Sequence, residues 1–210
     1  MKRLFAVSWA VLLMIPGLGI AQQYEKLPLP DTSGGLPLMQ TLKERKSSRS
    51  FADKPVSPQI LSNLLWAAFG INRPDGRRTA PSAMNWQEID IYIASQKGLF
   101  IYDAQSNSMR LLSRYDIRGT TGTQDFVKTA PVNLIYVADM SEVRSVSKEN
   151  EDLWVGADCG FIAQNVYLFC ASEGLVCVVR GSINKKELAN AMNLRPDQKI
   201  ILAQSVGYPK

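Results

Sequence analysis

Between Leu153 and Ser172 the chain is apolar nearly all round, with Asp158, Gln164 and Asn165 as the main polar exceptions. A helix of that composition needs cover on most of its circumference. A single small domain rarely supplies all of it, so the segment points to a central helix packed against the same helix of a second copy. The alternative is a core helix covered wholly by its own chain.

The segments around it alternate in period. Leu38, Met39 and Leu42 sit at helical spacing. Ser57 followed by Pro58 opens a second helix through Ile60, Leu61, Leu64, Leu65 and Ala68, which Gly70 stops. Ile89, Ile91 and Ile93 alternate, and Leu99 to Tyr102 and Met109 to Leu112 follow with turn residues between, a pattern that predicts an antiparallel meander. Val132 to Ala138 is apolar on both faces and predicts a central strand. A last helix starts at Ser182 or Asn184 and runs to Leu194, and Ile200 to Val206 closes the chain as a strand.

With 210 residues, 46% of them hydrophobic, the chain has enough apolar matter for one sizeable core. The N-terminus stands apart. Lys2-Arg3, an apolar run from Leu4 to Ile15, Pro16-Gly17 and the small-x-small pattern Gly19-Ile20-Ala21 predict a signal peptide over residues 1–21. The apolar run is shorter than the roughly 20 residues of a membrane-spanning helix, which favours export to the periplasm over an uncleaved N-terminal anchor, the alternative. Cleavage after Ala21 removes 21 residues from 210 and leaves 189, and the loss of Lys2 and Arg3 lowers the net charge from +5 to +3. That balance, with no nucleic-acid-binding motif, gives no reason to expect DNA or RNA as a partner. Residues 22–37 carry Pro28, Pro30, Pro37 and Gly34-Gly35 and read as an extended arm, either lying across a partner subunit or serving as a loose tether. Residues 38–210 then form the main domain.

The chain has no histidine, which removes Ser-His-Asp triads, Cys-His pairs and His-ligated zinc from consideration. Its cysteines, Cys159, Cys170 and Cys177, show no CxxC spacing. On one helix Cys159 and Cys170 lie about 16 Å apart by helical rise, far beyond disulfide reach. Cys170 with Cys177 is conceivable across the turn at Gly174, but buried free thiols are the expected state.

Arg45-Lys46-Ser47-Ser48-Arg49 is the densest polar motif. Arginine forks and serine hydroxyls together suit the oxygens of a phosphate, although a cluster of this size is also compatible with plain solvated surface.

That cluster, continued to Phe51, resembles the opening motif of the FMN-dependent nitroreductase family. Ala80-Pro81-Ser82-Ala83-Met84-Asn85-Trp86-Gln87 is similar to that family's Pro-Ser-x-x-Asn-x-Gln loop. Asp158 to Asn165 with Glu173-Gly174-Leu175 resembles its long helix and following turn, and Val206-Gly207-Tyr208-Pro209 resembles its closing strand. The four segments occur in the family's order and span roughly Leu38 to Lys210. The resemblance implies an α+β fold, a central, mainly antiparallel sheet flanked by helices, with the long buried helix at a homodimer interface and FMN bound there by both subunits. It implies that Arg45, Lys46 and Ser47 hold the ribityl phosphate and that Arg49 faces the pyrimidine edge of the flavin. Pro81, Ser82, Ala83 and Asn85 would reach the flavin of the other subunit. Val179, Arg180 and Gly181 would lie over its central ring, with a backbone N–H toward N5. Arg49 and Arg180 are the expected catalytic participants, acting through charge rather than as acid and base.

The chain departs from the family's pattern in three places. Many members carry an acidic residue where this chain has Arg180. The chain stops at Lys210, where many continue with further phosphate-binding basic residues. The stretch from Ile71 to Thr79 is short, which brings the outline closer to the compact thiazoline/oxazoline-dehydrogenase-like branch. The implied activity is ping-pong transfer of electrons through FMN to or from a small electron-poor substrate such as a nitro compound or quinone. An exported enzyme meets little NAD(P)H, so the donor is left open between NAD(P)H and a membrane redox partner. A flavin-binding or flavin-carrying envelope protein without turnover is the alternative.

Overall fold

The computed structural model describes residues 23–144 and 146–210; the signal peptide expected over residues 1–21 lies outside them. In chain order the elements are β1 (Tyr24–Lys26), α1 (Leu38–Glu44), α2 (Pro58–Phe69), β2 (Ile89–Ser95), β3 (Gly98–Asp103), β4 (Ser108–Ser113), β5 (Val132–Asp139), α3 (Lys148–Ser172), β6 (Val176–Arg180), α4 (Lys185–Met192) and β7 (Gln198–Gly207). The strands form one sheet in the order β1-β4-β3-β2-β5-β7-β6, with every neighbouring pair antiparallel. The fold is α+β, as expected.

Alternation along the strands decides which residues meet which helices. Ile91 and Ile93 of β2 and Leu134 and Tyr136 of β5 face α2 and α3, where they bury Leu64, Leu65, Ile162 and Val166. Their neighbours Tyr92, Ala94, Ile135 and Val137 face the other way, against Leu188 and Met192 of α4. Full burial of each large aliphatic side chain contributes about 1.5–3 kcal/mol. The helix boundaries follow from capping chemistry. Ser57 accepts the Ile60 N–H at 3.3 Å at the start of α2, and the Asn184 side chain accepts the Glu187 N–H at the start of α4.

α3 begins five residues before Leu153, because Glu149 and Glu151 sit in its first turns, where the helix dipole favours acids. Its inner face carries Val155, Asp158, Cys159, Ile162, Ala163, Val166, Tyr167 and Cys170. The outer face is left open by the described residues: Leu153 is 66% exposed and Phe161 48%. The three cysteines are free and buried.

The N-terminal arm is not a loose tether. It docks on its own subunit, first as β1 beside β4 and then along α2. The Pro28 carbonyl accepts from Ser62 and Asn107, the Asp31 N–H reaches Asn63 Oδ1 at 2.9 Å, and the Leu36 N–H reaches Ser172 Oγ at 2.7 Å. Leu27 is buried in the main core. These contacts satisfy backbone groups that a tether would leave to water.

Candidate functional site

β6 is the last strand of the sheet, and its outer edge would expose unpaired backbone groups. The basic motif lies along it. Ser47 forms a parallel bridge with Cys177, the Ser48 N–H reaches the Cys177 carbonyl at 3.0 Å, and beyond them Phe51 bridges Pro209 in antiparallel sense. That last bridge sets Lys210 opposite Ser50 by register, one residue from Arg49. The structure thus lines the Arg45–Ser47 part of the motif along the edge of β6 at Cys177, with Val179, Arg180 and Gly181 two to four residues farther along that strand, and carries Arg49 and Lys210 toward its opposite end, where β7 runs out past Val176.

Tyr167 of α3 joins the two strips. Its hydroxyl lies 2.8 Å from Ser47 Oγ and accepts the Val179 N–H at 2.9 Å, while the Arg45 guanidinium stands 5.3 Å from its ring centroid. The sequence reading missed this residue. A tyrosine in an otherwise apolar helix was the available signal, since a buried phenol seeks a hydrogen-bond partner.

Arg45 is half-buried and Lys46, Ser47 and Arg49 are exposed. Among the described residues no ion pair engages Arg45, Lys46, Arg49 or Lys210. Cations gathered without a protein carboxylate leave a site whose donor set matches a dianion such as a phosphate monoester. The Val179 N–H is already taken by Tyr167. By the alternation of outward-facing groups, the next N–H on that edge is that of Gly181.

The structure turns the Arg180 side chain away from this edge. It is 6% exposed and donates to the Thr121 carbonyl, to Asn133 Oδ1 at 2.6 Å and to Ser205 Oγ at 3.1 Å, and it makes no ion pair among the described residues. Burial lowers its pKa to about 10, so it stays charged at neutral pH. The physical reason is strand parity: Cys177 and Val179 face α3, so Arg180 faces the opposite layer.

The Pro81–Gln87 loop stands elsewhere. The Ala83 N–H is held by Asp158 Oδ2 at 2.7 Å, whereas the basic motif is held by Tyr167, nine residues or roughly 14 Å farther along α3. Pro81, Met84 and Asn85 are exposed, so the loop projects from the subunit and does not close over its own basic motif. Its backbone is unusual, with positive φ at Met84 (50°), Asn85 (56°) and Gln87 (53°). The Gln87 N–H donates to Ser82 Oγ at 3.0 Å, its side-chain amide reaches the Gly76 carbonyl and Asn85 Oδ1, and Trp86 packs on Trp154 of α3 at 5.7 Å between ring centroids.

An edge strand lined by an unneutralised basic segment, a projecting Pro-Ser-x-x-Asn-x-Gln loop and a half-covered central helix together describe one protein class. The model of the nitroreductase family matches residues 42–208, and the chain belongs to that family. It is 27% identical over 180 residues, 81% of this chain and 90% of the other, to a Methanocaldococcus jannaschii protein provisionally named a nitroreductase. A crystal structure from Ralstonia eutropha JMP134, given the same provisional name, superposes with a TM-score of 0.86 at 41% identity over 96% of both chains. A third, from Desulfovibrio desulfuricans and solved in complex with FMN, matches in fold with a TM-score of 0.61 at 21% identity over 83% of this chain and 87% of that one.

Proposed function

We propose that the protein is an FMN-dependent oxidoreductase that works as a homodimer on a small electron-poor organic substrate, a nitro compound or quinone. The observation that carries this reading is the basic segment Arg45–Arg49, hydrogen-bonded along the edge of β6 and without an ion-pair partner among the described residues. FMN bound there supplies the redox chemistry, accepting electrons from a donor and passing them to the substrate in the same cleft. Arg45, Lys46 and Ser47 hold the phosphate, and Lys210, at Ser50 by register, adds positive charge at the far end of the same segment. Arg49 sets positive charge at the flavin's pyrimidine edge, where negative charge collects. The Gly181 N–H serves as the backbone donor to the ring. Arg180 contributes a buried positive field from behind the strand. The complex of the Desulfovibrio desulfuricans relative with FMN supports this choice of cofactor.

The outer face of α3 supports the dimer. Leu153, Ala157, Gly160, Phe161 and Gln164 form one exposed stripe, and open space lies above Gly156 and Gly160, so a second helix can approach closely. A groove of about 520 Å³ between the arm, α1, α2 and α3, with exposed Leu38 and Met39 nearby, extends the surface open to a second copy. In such a dimer the Pro81–Asn85 loop of each subunit completes the site of the other, with the Asn85 amide toward the cofactor. The substrate and donor enter from the solvent side of the basic segment.

Anaerobic stopped-flow mixing of the FMN-loaded protein with NADH or a reduced quinol, followed by a nitroarene or quinone, tests the enzyme reading. Bleaching by a donor and recovery with the acceptor, as separable phases, is the expected result. A flavin that exchanges freely and is reduced by no donor would make the protein a carrier instead. Export remains part of the proposal, resting on residues 1–21. N-terminal sequencing of the protein from its host's envelope fraction should begin at Gln22, and an intact Met1 in the cytoplasm would refute it.

A further inference from the structure

We propose that Glu88 and Asp158 share a single proton and act as the positioning pair of the 81–87 loop, holding it docked while the proton is present and releasing it when the proton leaves. The inference rests on the reading that this loop completes the partner's flavin site.

Glu88 sits at the foot of the loop, is 1% exposed, and neither of its carboxyl oxygens receives a donor from another group. It faces Asp158 of α3, itself 3% exposed, within hydrogen-bonding reach. Asp158 already accepts the Ala83 N–H, a bond that favours its ionised form. The donor that satisfies both carboxyls is a proton carried by Glu88.

Among the described residues no ion pair engages either group. The surrounding charged groups are committed elsewhere: Arg78 to Gln87 Oε1 and the Phe69 carbonyl, Arg195 to Asp139 and Asp197, and Lys199 of β7 to Asp152. On α3 the neighbouring Cys159 thiol, in whose field Lys185 of α4 is felt, is pushed up to about 12 by burial and stays neutral. On the β5 side Asp139 contributes only its backbone N–H, which donates to the Glu88 carbonyl at 2.8 Å.

The loop needs such a hold. Left-handed backbone at Met84, Asn85 and Gln87 costs of order 1 kcal/mol each, and contacts with α3 and the 70s turn must offset it. Two ionised carboxylates side by side in a buried site repel, and Glu88 is joined covalently to Gln87, so repulsion acts directly on the loop's foot. Burial, reinforced by the charge of Asp158, raises the pKa of Glu88 to about 7. For a carboxyl raised in this way the stabilisation is present in acid and lost as pH rises through about 7.

The Trp86–Trp154 pair reports loop position without any cofactor. Near-UV circular dichroism of the cofactor-free protein between pH 5.5 and 8.5 should show one transition near neutrality. Glu88→Gln, whose amide donates to Asp158 at every pH, should remain docked and flat across the range. Asp158→Asn keeps an acceptor for Ala83 and offers a donor to Glu88, and should be flat as well; it decides the matter should Glu88→Gln fail to fold. In fluorescence titrations FMN affinity of the wild type should fall with pH by at most about tenfold per unit, the limit for one linked proton, and the variants should lose that slope. A wild-type signal that does not change with pH, or a Glu88→Gln protein that titrates like the wild type, overturns the proposal. Absence of FMN binding at every pH would defeat the flavin reading, while the dichroism transition would still decide the role of the pair.

Discussion

Tyr167 and Ser47, 120 positions apart in sequence, meet hydroxyl to hydroxyl at 2.8 Å, and the same Tyr167 oxygen accepts the Val179 N–H. One phenol therefore fixes the basic segment, the central helix and the edge strand relative to one another. Tyr167→Phe removes both bonds and leaves the Val179 N–H without its partner, which should cost about 1–3 kcal/mol of stability. Chemical denaturation measures that loss. FMN affinity should fall with it, because Ser47 would lose its orientation although no charge has been removed.

Arg180 gives an ordering rather than a single value. Its guanidinium is buried with neutral acceptors only, Thr121, Asn133 and Ser205. Arg180→Met removes a charge that burial disfavours and retains part of the volume; the Ser205 hydroxyl still donates to Asn133 Oδ1 at 2.5 Å. Arg180→Lys keeps a buried charge but loses the planar fork that reaches all three partners. Urea unfolding should therefore find the lysine variant less stable than the methionine variant, by about 1–2 kcal/mol on the scale of a lost charged hydrogen bond. The reverse order would mean that retained charge outweighs fork geometry.

Asp90 should make stability fall toward neutral pH. Burial, then the charge of Asp139, raises its pKa to about 6, so its contribution is complete below about pH 4 and lost as pH rises through 6. Asp103, Asp116 and Asp139 are lowered and act in the opposite sense, losing their contribution as pH falls below the usual carboxylate range. The thermal midpoint should accordingly be higher at pH 5 than at pH 8. Asp90→Asn should narrow that difference when the two proteins are compared by calorimetry.

The exposed stripe on α3 predicts that Phe161→Arg prevents the proposed dimer from forming. Phe161 is 48% exposed in the single subunit and lies next to Gly160, where a second helix can approach. A charge there would have to be desolvated on association. Sedimentation should show a shift to one-chain mass with unchanged helical content, together with weaker FMN retention.

The elements that the sequence specifies through local chemistry were legible. Ser57, Pro58 and Gly70 bracket α2 within a residue, and the alternating isoleucines at 89, 91 and 93 place β2 and its inward face. The first turns of α3 escaped because Lys148 to Asp152 are polar and carry no apolar period. The docking of the arm escaped for another reason: its bonds to Ser62, Asn63 and Ser172 join residues whose nearness only the tertiary fold creates. The basic motif and the Pro-Ser loop were visible as residue strings. Their separation along α3, the inward turn of Arg180 and the Glu88–Asp158 pair depend on strand parity and on which helix face meets the loop. Spacing along the chain cannot supply those facts.

The proposed enzyme needs two copies of this chain to hold FMN on the Arg45–Arg49 segment. The most direct test is to mix the purified chain from Gln22 onward with excess FMN, remove unbound ligand, and record the visible spectrum together with the mass in solution. Retained flavin absorbance on a two-chain species, lost in Arg45→Ala, is the predicted result. A colourless one-chain protein, or flavin retained equally well by Arg45→Ala, would contradict the account.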